Sequence, residues 1–133
     1  MRDRPALAPI DPLGREIQRV LELVKPMQTE EWGFAYDGYC GAASEAYLHL
    51  AGGRLSGLKV MRMDNNDGSS HWWLEGPRGV IDLTLSPRDR RELKAGLVDP
   101  PAWEDGKGAM FQNGYKRASK RASAIIELVL SRR

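Results

Sequence analysis

The sequence predicts a single α+β domain over residues 1–133, on three observations. Apolar residues recur at helical spacing near the start, in "PLGREIQRVLELV", and again near the end, in "YKRASKRASAIIELVL". Between them the period changes to that of strands, in "GLKVMRM", "SHWWLEG" and "GVIDLTL". Strong turn signals such as "DNNDG" separate these runs. Helices at both ends with a sheet between them make the α+β pattern.

Residues 1–11, broken by charge and proline, read as an irregular lead-in and not as a signal peptide. Ile17, Val20, Leu21 and Val24 then predict a first helix from about Asp11 to Val24. Pro26, Gly33 and Gly38 mark residues 25–39 as a long connection. A second helix opens at Cys40, with Cys40, Ala43, Tyr47 and Leu50 on one face and Gly52-Gly53 as the stop. The three strand-like segments form an antiparallel meander, the last turn lying around Pro77-Arg78. "SPRDRRELKAG" has room for a short helix, "DPPAWEDGKG" reads as loop, and the last apolar-periodic run is a closing helix.

Composition narrows the class. The chain is 41% hydrophobic and 29% charged, as expected of a globular protein with a real core. No apolar run approaches the roughly 18 residues of a membrane span. The single cysteine excludes an internal disulfide, and with two histidines it leaves little for a zinc site. A reducing cytoplasm is the expected compartment. Twenty basic against eighteen acidic residues do not by themselves imply nucleic acid. The glycines near 52–57 and 106–108 lack phosphate-loop spacing, so no metal or nucleotide cofactor is implied.

The chemistry gathers around that cysteine. If Gly76 to Gly79 form the hairpin turn, Trp73 faces Asp82 and His71 faces Thr84, so all four share one sheet face. His71 and Asp82 are then diagonal neighbours with backbones about 7–8 Å apart, within side-chain reach. A one-residue slip would separate them, but the apolar alternation opposes it. The hairpin therefore offers an Asp-oriented imidazole. A cysteine at a helix start is its natural partner, because unpaired N–H groups, the helix dipole and an adjacent imidazolium all favour a thiolate. The expected roles are Cys40 as nucleophile, His71 as proton shuttle and Asp82 as the group that fixes the His tautomer. Backbone N–H groups at the helix start would receive the oxyanion with a second donor left open, Tyr39 and Gly41 would contact the substrate, and Trp73 would line an acyl-binding groove.

The run "GYCGAASEAYLHL…HWWLE…GVIDLT" resembles the core of the papain-like and transglutaminase-like cysteine enzymes. In that superfamily a Cys opens a helix packed on an antiparallel sheet, with the His on one strand and the Asp on the next. The resemblance implies Cys40, His71 and Asp82 as a triad, with Asp82-Leu83-Thr84 where Asp-Pro-Thr is common. It implies thioester-mediated acyl transfer on an amide of a peptide, a flexible protein segment or a small molecule, ending in hydrolysis, deamidation or transamidation. A closer similarity is to small proteins of phage and bacterial genomes with C-x-x-A-S-E-A, H-L-x-G-G, H-W-F-L, D-x-T and S-K-R-A. Here these are Cys40 to Ala46, His49 to Gly53, His71 to Leu74, Asp82 to Thr84 and Ser119 to Ala122. That likeness brings no established substrate. The enzymes often have Trp after the nucleophile, where this chain has Gly41. Papain-like enzymes place a Gln just before the Cys, whereas residues 33–39 have none; Gln28, Trp32 and Tyr36 are the substitutes at hand.

Other features have plainer readings. His49, nine positions after Cys40, faces away on the same helix and reads as surface or interface. Ser44 and Glu45 read as structural. Residues 114–133 hold six Lys or Arg and one acid, Glu127. Lys116, Arg117, Lys120 and Arg121 recur at i, i+1, i+4 and i+5, a basic helical stripe. A solvated outer face is the default for it. The alternative function is a non-enzymatic binding or inhibitor protein whose stripe docks on nucleic acid or an acidic protein.

Overall fold

Strand pairing follows the alternation in the middle of the chain. The computed structural model describes residues 2–24 and 34–133. In it β1 (Lys59–Asp64), β2 (Ser70–Gly76), β3 (Gly79–Ile81) and β4 (Lys107–Gly108) form an antiparallel sheet ordered β3-β2-β1-β4. Leu74 pairs with Ile81 and Gly76 with Gly79, the register that the hairpin reading requires. Four α-helices accompany the sheet among the described residues: α1 (Pro12–Val24), α2 (Cys40–Leu50), α3 (Pro87–Lys94) and α4 (Lys120–Ser131). The fold is a small α+β domain.

The sheet is covered on both faces. On one, Ile17, Val20 and Leu21 of α1, Ala46 and Leu48 of α2, and Ile125 and Val129 of α4 close on Val60 and Leu74. Each large aliphatic side chain buried there contributes about 1.5–3 kcal/mol. On the other, Met61, Trp73 and Val80 pack with Leu85 and Trp103. Gln18 is also fully buried, and its Nε2 donates to the carbonyls of Leu83 (3.1 Å) and Leu85 (2.7 Å). That pair of bonds ties α1 to the segment that follows β3.

Four expectations need correction. "GVIDLTL" is not one strand: β3 stops at Ile81, because the Asp82 carboxylate accepts the Thr84 N–H and turns the chain. "DPPAWEDGKG" is more than loop: it holds a short 3₁₀ turn at Trp103–Asp105 and the two residues of β4, which pair with Met61 and Arg62. The closing helix starts later than its charge pattern suggests. Ser119 accepts a hydrogen bond from the Ala122 N–H and caps α4, so Lys116 and Arg117 precede the helix and the four cations form no helical stripe. Finally, the lead-in is irregular but anchored. Ala8 N–H donates to Val80 O and Val80 N–H to Ala6 O, both at 2.8 Å, sealing the outer edge of β3. Gly79 permits this approach, since a Cβ there would lie 2.3 Å from the Ala6 carbonyl oxygen. Residues 25–33 of the predicted connection lie outside the described residues.

Candidate active site

The segment before Cys40 is held in place on several sides. Asp37 accepts the Phe34 N–H (2.7 Å), Asp89 accepts the Ala35 N–H (2.9 Å), and Tyr36 N–H donates to Thr84 O (3.0 Å). Asp89 is also the capping-box residue of α3, exchanging bonds with Ser86. One carboxylate thus ties the approach to Cys40 to the chain just beyond Asp82. α2 then starts at Cys40, and its N-cap residue Tyr39 supplies no side-chain cap. The first N–H groups of the helix therefore receive nothing from that side chain. Ser44 Oγ donates to Trp72 O at 3.4 Å, and the Trp72 indole lies 3.5 Å from where a Gly41 Cβ would be. α2 is thereby docked on β2 with Cys40 at the β2 start, its Sγ 3.6 Å from Ser70 O.

Asp82 sits at the other end of the site, fully buried in the turn after β3. Its Oδ1 accepts from Thr84 N (3.1 Å) and Thr84 Oγ1 (2.6 Å). Oδ2 faces His71 Nε2 at 2.7 Å and accepts from Trp103 Nε1 at 2.9 Å. Burial pushes this carboxyl up, but the hydrogen bond and charge of His71, with the Thr84 and Trp103 donors, hold it below the ordinary Asp range.

His71 joins the two ends. Its Nε2 is taken by Asp82, and Cys40 lies close enough to the ring to act on its charge. Burial would lower its pKa from 6.5; the bonds and charges of Asp82 and Cys40 outweigh it and raise the ring to about 10. The imidazole is therefore cationic at neutral pH. Trp73 backs it, ring centroids 5.4 Å apart and planes tilted by 32°. Asp37 contributes a second carboxylate within electrostatic reach of His71, its own pKa raised chiefly by burial.

The structure brings Cys40, His71 and Asp82 together and separates other candidates from them. Trp73 lines no groove: it is 0% exposed, walled in by Trp103 and by Gly106, where a Cβ would lie only 2.2 Å from its Cζ2. The segment read as plain loop covers that face, so Trp73 braces His71 instead. Tyr36 is buried with its hydroxyl engaged by Glu22 and Arg15 of α1, away from the oxyanion position. Gln28 and Trp32 lie outside the described residues. Tyr39 and Gly41 flank Cys40 as expected. His49 is half-buried about 13 Å along α2. Glu45, 4% exposed, accepts the Ser119 N–H at 2.8 Å, so it serves the start of α4. Of the four cations, Arg121 alone is seen at the start of α2: its guanidinium lies 5.3 Å over the Tyr39 ring and donates to Gly38 O.

Sequence reasoning missed Trp103, the indole donor to Asp82. Its one signal is a large aromatic amid Pro, Asp and Gly in "DPPAWEDG", where a solvated loop has no use for it. Among the described residues no group of three or more His, Cys, Asp or Glu side chains is placed to hold a metal ion, and no helix is long and apolar enough to cross a membrane. Compared with protein-family models, curated proteins and solved structures, the chain finds no match.

Proposed function

We propose that this protein is a thiol-dependent acyl-transfer enzyme of papain/transglutaminase-like type, acting on an amide or peptide bond through Cys40, His71 and Asp82. One observation carries the reading: a single imidazole sits with its Nε2 2.7 Å from a buried carboxylate and within electrostatic reach of the only sulfhydryl of the chain, at the start of a helix. A core cysteine needs no cationic partner, and a structural His–Asp pair needs no thiol.

The chemistry follows from the charges. The Cys40 thiolate attacks the acyl carbon, and the carbonyl π pair moves onto oxygen as the C–S bond forms. Backbone N–H groups at the start of α2 face the developing oxyanion. The intermediate collapses, the C–N bond breaks, and the His71 imidazolium delivers its proton to the leaving nitrogen. Water or an amine, deprotonated by the now neutral His71, attacks the thioester and restores the thiolate. Asp82 keeps its negative charge throughout and holds the ring with Nδ1 toward sulfur. With its acceptor sites occupied by Thr84, Trp103 and His71, this carboxylate cannot rotate away.

The test is alkylation of Cys40 by iodoacetamide between pH 6 and 9, in the wild type and in His71→Ala. An imidazolium-paired thiolate reacts fast and almost independently of pH over this range; the variant reacts slowly at pH 6 and faster as pH rises. A native Cys40 that stays inert until the protein is denatured would refute the reading.

A further inference from the structure

Beside Cys40 lies a hollow that the proposed triad does not use. It has a volume of about 220 Å³ and is lined by Val24, Tyr39, Ala42, Arg121, Ala124 and Ile125. Three chain segments shape it: the end of α1, the start of α2 with Tyr39 just before it, and the first turns of α4. Tyr39 immediately precedes the nucleophile and Ala42 follows it by two. At 100° per residue they share one side of α2, turned toward α4, while Cys40 faces the sheet through its contact with Ser70. Two helical residues separate Cα atoms by about 5–6 Å. An extended chain advances about 3.3–3.6 Å per residue. A substrate that crosses the start of α2 with its carbonyl at Cys40 spans a separation of that size in one or two residues.

The lining has one chemistry. Its walls are aliphatic apart from the Tyr39 ring, and its single charge is the Arg121 guanidinium. That guanidinium is poised in place by Tyr39 beneath it and by its contact with Gly38 O at 3.4 Å, and among the described residues the lining includes no carboxylate to neutralise it. Among the described residues, no ion pair engages it either. A planar five-donor cation at the rim of an apolar hollow suits a carboxylate on an aliphatic stem.

We infer that the substrate carries a carboxylate on an aliphatic group within about two residues of the carbonyl attacked by Cys40, with Arg121 as the residue that selects it. The inference rests on Cys40 being the nucleophile, and its test keeps the two apart. N-iodoacetyl-norleucine and its carboxamide place the same alkyl chain near Cys40, with and without the charge. The expected result is that the acid alkylates the wild type at least about tenfold faster than the carboxamide, the range of one charge-assisted hydrogen bond. The ratio falls to near one in Arg121→Gln, recovers in part in Arg121→Lys, and is unchanged in Arg117→Gln, an exposed cation outside the hollow. Equal rates in the wild type, or a preference that survives Arg121→Gln, or one lost equally in Arg117→Gln, would overturn the assignment while leaving Cys40 a reactive thiolate. Failure of both reagents on the native protein would overturn the nucleophile and this assignment together.

Discussion

Replacing Asp82 by Asn tests the electrostatics of the site with the smallest change in shape. The carboxyl group accepts from Thr84, Trp103 and His71, and against the lowering effect of burial its hydrogen bond and charge, together with Cys40, lift the His71 pKa from 6.5 to about 10. At pH 7.5 that leaves the ring largely protonated. In Asp82→Asn the burial of His71 remains and now acts unopposed by a carboxylate. The His71 pKa should drop below 6.5, so that under about 10% of the ring is cationic at pH 7.5. Stability should also fall by about 3 kcal/mol, since one member of a buried, hydrogen-bonded pair is lost and an amide N–H₂ now faces the Trp103 donor. NMR titration of the imidazole signals is the assay: the chain has only His49 and His71, and His49→Gln identifies the other. A folded Asp82→Asn protein whose His71 still titrates near 10 would show that Asp82 is not what holds the proton there.

Two further outcomes follow from the same contacts. Because the folded His71 pKa lies above its unfolded value, the stability it contributes is complete below about pH 6.5 and is lost as pH rises through about 10. The stability gap between wild type and His71→Gln in urea titrations should therefore narrow by a few kcal/mol from pH 6 to pH 10; a gap that widens would reverse the sign of the argument. Glu45→Ala should cost about 1–3 kcal/mol, because it leaves the Ser119 N–H at the start of α4 without its buried acceptor. A change below about 0.5 kcal/mol would mean that water takes the place of the carboxylate.

The parts of this fold that were legible in the sequence are those fixed by period and punctuation. Alternation in "SHWWLEG" and the turn at Pro77-Arg78 gave the β2–β3 register, and with it the approach of His71 to Asp82. Apolar spacing placed α1 and α2 within a residue of their ends. What stayed hidden depends on side chains from distant segments. The turn from Asp82 to Thr84 is local to "VIDLTL", but the Trp103 and His71 partners that fill the other carboxylate oxygen come from outside it. Trp73 reads as half-exposed until residues 103–106 cover it. The basic stripe fails because Ser119 has two roles, as N-cap of α4 and as donor to Glu45, and the second partner lies 74 positions away.

The donors around Asp82 come from β2, from the turn after β3 and from the segment before β4, while the sulfur comes from α2. Contacts so far apart along the chain form late, after loop closure has been offset by packing. On the chemistry proposed above, the reactive thiolate is therefore a property of the finished fold alone. On that same proposal Cys40 lacks its partners during synthesis or refolding, and neighbouring chains are spared a reactive sulfur. The moment at which alkylation accelerates then reports when α2 meets the β2–β3 hairpin, a clock for that step that needs no added label.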